Sequence, residues 1–489
     1  MSAENNIPKP LTKKLGLLDA TLIVSGSMIG SGIFLVSADM SRGLGSAGWL
    51  LLAWVLAGVI TLLGALSYGE LAGMMPKAGG QYVYIQKAFG KLTAFVYGWT
   101  VFTVIQTGVI AAVAVAFAKY TGQIFPWWNE NHELFSLGAF SVSWAQVLAI
   151  FLILFLTAIN TMGIEEGKWL QRLFTISKML AILGLVVAAF VIGGKTQYLQ
   201  QNFANAFQAA GSPENNINWE SIGSLALLAA FGTAMVGSLF SSDAWNNVTF
   251  IAGEIKQPEK NIPRSLFMGT LLVTLLYLLA NLAYLSVLPL QGTTLGSLED
   301  RGISHAPFGR VGTSAAQMIF GEPGVILMAI LIMISTFGCN NGMILAGARL
   351  FSTMAKDGLF FTSAAKTNKN GVPATALWAQ AAWASVLCLS GSYGDLLNYC
   401  TFASLVFYIV TVAGLFALRR KEPEMERPYK VLAYPLIPAA YILLAGGVAV
   451  CLLVFKTENS MAGLGIVALG VPVYLVLQRF KKPASQTGG

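Results

Sequence analysis

Charge is scarce in this chain. Asp, Glu, Lys and Arg together make up 11% of its 489 residues, against roughly 25% in soluble domains. So little charge over so long a chain excludes a water-facing enzyme, and the high apolar content excludes a disordered protein. Histidine is nearly absent: only His132 and His305 occur, both in polar loops, so an intramembrane metal centre built on histidine clusters is excluded. The four cysteines, Cys339, Cys388, Cys400 and Cys451, all sit in apolar stretches. They read as small core residues, not as a disulfide scaffold or a set of metal ligands. A phosphate-binding loop is also missing. The nearest match, Gly193-Gly194-Lys195-Thr196, has Ala189 where such a loop needs glycine. ATP-driven work within this chain is excluded, and the sequence calls for no cofactor.

Apolar residues are abundant, at 55% with a mean hydropathy of +0.67. A membrane helix needs about 20 of them in succession. Twelve such stretches are present, at 17–40, 48–75, 93–118, 144–162, 171–193, 221–252, 265–289, 322–354, 374–391, 394–418, 433–455 and 461–479. The first follows a polar tail and has no cleavage-like site behind it, so it reads as a retained helix. Twelve spans place both termini on one side. Of the 30 basic residues, 23 then fall on the side of the tails, from Lys9, Lys13 and Lys14 to Lys481 and Lys482. Six fall on the other side, and Lys178 lies inside a span. That asymmetry puts both termini in the cytoplasm. It also explains the net charge of +8 as a topology signal, with no nucleic-acid partner. The fold class is an all-α polytopic membrane protein whose partner is the lipid bilayer.

Two spans are written as poor continuous helix. Span one carries Gly26-Ser27-Met28-Ile29-Gly30-Ser31-Gly32, and span six carries Gly237-Ser238-Leu239-Phe240-Ser241-Ser242-Asp243-Ala244-Trp245-Asn246-Asn247. Glycine weakens a helix, and Ser, Asp and Asn offer the backbone competing hydrogen bonds. Small residues also serve plain helix packing. Asp243 argues further, because an intramembrane carboxylate is costly. The two segments occupy equivalent places in two blocks of five spans, the pattern of an inverted-repeat transporter with two broken helices meeting near the midplane. Residues 1–15 then form a cytoplasmic tail, 16–210 and 211–420 the two five-helix repeats, and 421–489 the last two helices and a second tail. Where a helix unwinds, freed N–H groups attract an anion and freed C=O groups a cation. An amino-acid zwitterion presents both charges on neighbouring atoms. The serines of the two segments, Ser27, Ser241 and Ser242, are expected in the pocket wall.

Two readings of Lys178 stand: a lysine whose ammonium snorkels to the interface, or a buried cation that ties span five to the broken first helix or exchanges a proton. Phe240 reads as ordinary core or as an aromatic cover over a bound molecule. Glu70 closes span two and is expected to bond a loop.

The motifs resemble the amino acid–polyamine–organocation superfamily, and within it the L-type amino acid transporter branch and its bacterial relatives. Gly26 to Phe34 is similar to the first-helix motif of that family. Ser67-Tyr68-Gly69-Glu70-Leu71 with Met75-Pro76-Lys77-Ala78-Gly79-Gly80-Gln81-Tyr82 resembles its most recognisable loop. Phe240 to Asn246, Gly253-Glu254-Ile255-Lys256, Ala348-Arg349-Leu350-Phe351 and Glu426-Arg427-Pro428-Tyr429-Lys430-Val431 follow in family order. The resemblance implies a LeuT-like arrangement of twelve transmembrane helices, a five-plus-five inverted repeat with helices one and six discontinuous. It implies that Gly30, Ser31 and Gly32 hold the substrate carboxylate through main-chain N–H groups. Met28, Phe240 and Asp243 would meet the amine through main-chain oxygens, and the Phe240 ring would be a thin gate. The Lys178 ammonium would stand where sodium sits in sodium-coupled relatives. Many members with neutral substrates carry Gly-Gly where this chain has Asp243-Ala244, and a carboxylate there also occurs in members handling cationic or cystine-like substrates. Eukaryotic members carry a cysteine between spans three and four that bonds a glycoprotein; residues 119–143 have none, so no disulfide-linked heavy chain is expected.

The sequence therefore leads to a sodium-independent alternating-access transporter, an exchanger of L-amino acids in the cell (inner) membrane. Proton-coupled symport, with Lys178 or Asp243 as carrier, is the first alternative, and an amino-acid sensor without transport the second. No nucleophile and base cluster near the interface, so an embedded enzyme is not expected.

Overall fold

The computed structural model describes residues 15–137, 140–162, 167–211, 219–390 and 393–480. Lys9, Lys13, Lys14, Lys481 and Lys482, in the expected tails, lie outside them. The chain is helical almost throughout, because only helices satisfy every backbone polar group within lipid without closing a barrel. It opens with α1 (Leu17–Met28), α2 (Gly32–Leu44), α3 (Ala47–Met74), α4 (Gln81–Phe89) and α5 (Lys91–Thr100). A π-helical turn over Val101–Ile105 joins α5 to α6 (Gln106–Ile124). Next come α7 (Trp144–Thr161), α8 (Gly167–Ala188) and a short α9 (Thr196–Ala204). The second half runs through α10 (Ser224–Ser241), α11 (Asn247–Phe250), α12 (Pro258–Val287), α13 (Leu298–Arg301), α14 (Val311–Phe320) and α15 (Glu322–Lys356). It ends with α16 (Ala374–Ser390), α17 (Tyr393–Lys421), α18 (Leu436–Phe455) and α19 (Thr457–Phe480).

Ten stretches among the described residues are single helices long and apolar enough to cross a membrane. The pair α1 and α2, bent by 42° at its break, passes the same test as a unit, and α16 is a shorter apolar helix. Each of the twelve hydropathy runs therefore overlaps an apolar helix. Several helices outrun their hydropathy: α12 begins at Pro258, seven residues before the apolar run, because proline at a helix start gives up no hydrogen bond. Outside the helices, small antiparallel pairings join Glu133–Leu137 to Phe140–Ser143 and Ala210–Gly211 to Glu220–Ser221.

Close approach of α3 and α12 builds the centre of the bundle. A Cβ on Gly58 would lie 2.2 Å from the Thr274 side chain, so only glycine permits this spacing. At the end of the bundle where α1 starts, Leu15 and Ile255 form a short parallel bridge, with Leu15 N donating to Glu254 O and Lys256 N to Leu15 O. This bridge ties the start of the first broken helix to the segment that follows the second. Nearby, Arg172 pairs with Asp19 at 2.5 Å and Arg349 with Glu254 at 2.6 Å. The four cysteines are free thiols, and Cys339, Cys388 and Cys400 are buried.

Candidate functional site

Both interrupted segments break, over shorter stretches than their composition suggests. Helix α1 continues through Gly26, Ser27 and Met28; it leaves helical geometry at Ile29, with φ −76° and ψ 94°, and α2 starts at Gly32 behind Ser31. Helix α10 runs through Gly237 and Phe240 to Ser241 and resumes as α11 only at Asn247. Between them Ala244 adopts φ 62°, a left-handed backbone that residues with a Cβ rarely take.

The two breaks touch. A Cβ built on Gly32 would stand 2.2 Å from Ser241 Oγ and 3.1 Å from Ser241 Cα. One residue holds both ends together: the Tyr277 hydroxyl on α12 lies 3.0 Å from Met28 O and 3.1 Å from Ser241 O. The last carbonyls of α1 have lost their helical partners, and side chains from three other helices replace them. Lys178 on α8, 1% exposed, donates from Nζ to Gly26 O at 2.6 Å and to Ile29 O at 2.8 Å. Cys339 Sγ on α15 donates to Ser27 O at 3.3 Å, and Ser335 Oγ lies 3.4 Å from Ile29 O and 3.5 Å from Gly30 O. A buried ammonium is tolerated here because it sits against carbonyl dipoles at the negative end of a helix. On the other side of the break, α2 starts at Gly32 beside Ser241, and a helix start carries the positive end of the dipole and unpaired amides.

Of the oxygens expected to meet an amine, Met28 O already accepts from Tyr277, and Phe240 O accepts from Asp243 N at 3.1 Å. Each carbonyl retains a second lone pair. Phe240 is helical and 8% exposed. The Asp243 carboxylate accepts from the Tyr408 hydroxyl, and from Ser404 Oγ at 3.3 Å.

Two cavities adjoin the second break and share Asp243 as a wall. The larger lies between the break and α4, α5, α6, α15 and α17, and includes Gln81, Tyr97, Gln106, Asn246, Asn247 and Tyr408 in its wall. The smaller lies towards α3 and α18, with Thr61, Ser242, Trp245, Thr401 and Tyr441. Neither is lined by Ser27, Met28, Gly30, Ser31, Gly32, Lys178, Phe240 or Ser241. Those residues are buried outside both linings, and Ser242 alone of the three serines faces a cavity.

A polar chain that the sequence did not reveal stiffens the larger cavity. Asn246 Nδ2 donates to Gln81 Oε1 at 2.9 Å, Tyr97 OH to the same atom at 3.1 Å, and Gln81 Nε2 to Thr411 Oγ1 at 2.9 Å. Tyr277 carries no local signature either: its partners are backbone atoms more than thirty residues away. The available signal was a tyrosine in mid-span, since a buried phenol hydroxyl needs an acceptor. Glu70, fully buried, accepts from Arg419 Nε at 2.9 Å, Arg419 Nη2 at 2.6 Å and Val431 N at 2.8 Å. It fastens α3 to the end of α17 and the loop beyond, away from both breaks.

The family model described as amino acid permease matches residues 15–476. The chain is 31% identical over 472 residues to the Homo sapiens protein named large neutral amino acids transporter small subunit 2, covering 95% of this chain and 80% of that protein. It is 29% identical to the serine/threonine exchanger SteT of Bacillus subtilis (strain 168), covering 96% of this chain and 98% of the relative. Its identity to the b(0,+)-type amino acid transporter 1 of Mus musculus is 28%, with 89% and 81% covered. A match over nearly the whole length, to proteins of this kind, shows that the chain belongs to the amino acid permease family of the amino acid–polyamine–organocation superfamily.

Proposed function

We propose that this protein exchanges L-amino acids across a cell membrane by alternating access, without sodium. The observation that carries the reading is the contact between Gly32 and Ser241, which brings a helix start and two helix ends to one point. A carboxylate would rest on the amides of Gly30, Ser31 and Gly32, and the α-amine on main-chain oxygens of Met28, Phe240 and Asp243. The Phe240 ring would cover the bound zwitterion. Ser27, Ser241 and Ser242 would complete the wall. In this reading α1 with α2, and α10 with α11, are spans one and six of twelve. Residues 16–210 and 211–420 are the inverted repeats, 421–489 add the last two helices, and both termini are cytoplasmic.

Sodium independence is supported by Lys178 Nζ, which sits 2.6 Å and 2.8 Å from two carbonyl oxygens of the first break and supplies there the positive charge a metal cation would bring. Exchange is supported by the relative named as a serine/threonine exchanger. Residues 119–143 contain no cysteine, which supports operation without a disulfide-linked partner. A second reading, proton-coupled symport, draws on Asp243, whose carboxylate accepts from the neutral hydroxyls of Tyr408 and Ser404.

Purified protein in proteoliposomes tests the choice. Labelled amino acid should enter faster when the lumen holds unlabelled amino acid, equally in sodium and in choline buffer. Uptake indifferent to internal amino acid but accompanied by lumenal acidification would replace exchange by symport. Binding without flux would make the protein a sensor.

A further inference from the structure

Ser37, in the second turn of α2, bonds away from its own helix. A serine inside a helix commonly donates to the carbonyl four residues back, as Ser25, Ser67 and Ser241 do in this protein. For Ser37 that carbonyl is Ile33 O. The Ser37 hydroxyl instead crosses to α12 and donates to Asn281 Oδ1 at 2.7 Å. Ile33 O accepts from the Tyr284 hydroxyl, also on α12, at 3.3 Å. The Asn281 amide is oriented for this bond: its Nδ2 donates to Tyr277 O at 2.8 Å, which leaves Oδ1 to face α2. All four residues are buried, Ile33 and Ser37 completely.

Apolar packing holds two helices together but leaves their register and rotation loosely set. A hydrogen bond is directional and fixes both. Asn281 and Tyr284 stand three residues apart, on one face of α12, and grip α2 at Ile33 and Ser37. The start of α2 at Gly32 therefore has a set rotation. Its first amides have no partner within the helix, so their aim follows that rotation. Backbone atoms lie about 2.3 Å from a helix axis, so a turn of about 20° moves them by about 0.8 Å. A shift of that size along a hydrogen bond of about 2.9 Å takes it out of range.

We infer that Asn281, acting through Ser37, is a positioning residue for the substrate carboxylate: it sets the rotation of α2 and so the aim of the amides at the first break. Neither Asn281 nor Ser37 lines a cavity, so the effect reaches the substrate through α2. The inference rests on the proposal that this helix start receives the carboxylate of an amino acid.

The test uses the full chain in proteoliposomes preloaded with unlabelled alanine, serine or leucine. Entry of the same labelled amino acid is measured over a range of external concentrations, following whichever of the three enters fastest. Ser37→Ala removes the donor and Asn281→Leu the acceptor. Each should raise the half-saturating concentration about tenfold, the scale of one buried hydrogen bond, and alter the maximal rate far less. The double variant should show the same rise, not one of about a hundredfold, because both substitutions remove a single bond. Ser37→Thr, which keeps the hydroxyl, should recover most of the affinity lost in Ser37→Ala. A purely structural role would lower the maximal rate and the melting temperature and leave half-saturation alone; that result would overturn the inference, and so would two effects that multiply. Where Asn281→Leu does not yield monodisperse protein, the contrast between Ser37→Ala and Ser37→Thr decides. If no internal amino acid accelerates entry in the unsubstituted protein, the exchanger reading fails first.

Discussion

Gly32 and Ser241 lie so close that no side chain fits between them: a Cβ on Gly32 would stand 2.2 Å from Ser241 Oγ. The hydroxyl is itself held, donating to Gly237 O at 2.8 Å, so it cannot turn aside freely. Gly32→Ala must therefore push the two breaks apart. Overpacking of this kind costs typically 1–3 kcal/mol, and here it acts on the floor of the proposed site. We expect the exchange rate to fall at least tenfold while the protein still folds. Combining Gly32→Ala with Ser241→Gly removes the obstructing atom and should restore a large part of the rate. Equal loss in the single and double variants would show that the contact between the breaks does not matter to transport.

Lys178 replaces, with one ammonium, the helical partners that Gly26 O and Ile29 O lack. Hydrogen bonds to charged groups contribute roughly 1.5–3 kcal/mol each. Lys178→Met keeps the length and apolar body of the side chain but removes both bonds and the charge. Exchange should drop by about tenfold or more, through looser geometry at the first break. Lys178→Arg should not rescue it, because a planar guanidinium cannot reproduce the reach of a compact ammonium in a site this tight. Wild-type rates in Lys178→Met would reduce the lysine to a filler of space.

These residues also mark how far the chain can be read in advance. Hydropathy located every apolar helix, because burial in lipid imposes a length and a composition that a linear sequence displays directly. The segments Gly26–Gly32 and Gly237–Asn247 identified the breaks, since Gly, Ser and Asp disfavour helix locally. Their true extent was not legible: Gly26 to Met28 and Gly237 to Ser241 stay helical because neighbouring helices pack them. The motifs indicated the family, which the full-length match shows. What local pattern could not supply was partnership across the bundle. Tyr277 meets Met28 O over 249 residues, Gln81 meets Thr411 over 330, and Gln81 meets Asn246 over 165. The π-helical turn at Val101–Ile105 likewise has no composition of its own.

Glu70 illustrates the difference between stability and transport. It is fully buried, Arg419 grips it through two nitrogens, Val431 N donates to it, and Arg427 Nε lies 3.4 Å from its Oε1. Removing one partner of a buried pair strands the other, at about 3–5 kcal/mol. Glu70→Gln keeps the shape and loses the charge, so the apparent melting temperature in detergent should fall by several degrees. The concentration of amino acid needed for half-maximal exchange should not change, because Glu70 lines neither cavity. A change in that concentration with no thermal loss would move Glu70 into the transport machinery.

Ala244 holds the second break in a left-handed conformation, φ 62°, next to the Asp243 carboxylate. The Cβ makes that geometry unfavourable by roughly 1–2 kcal/mol relative to glycine. Glycine gives back part of the gain, about 0.4–1 kcal/mol, through the greater freedom of its unfolded chain. Ala244→Gly should therefore leave the melting temperature unchanged or raise it slightly. Ala244→Val puts a β-branched side chain where even alanine is strained, and should lower it clearly. The order glycine, alanine, valine is the signature of backbone strain, whereas packing around the Cβ would favour alanine over both. If alanine proves the most stable of the three, the left-handed turn is held by contacts to the methyl group. The break between α10 and α11 would then owe its shape to its neighbours and not to its own backbone.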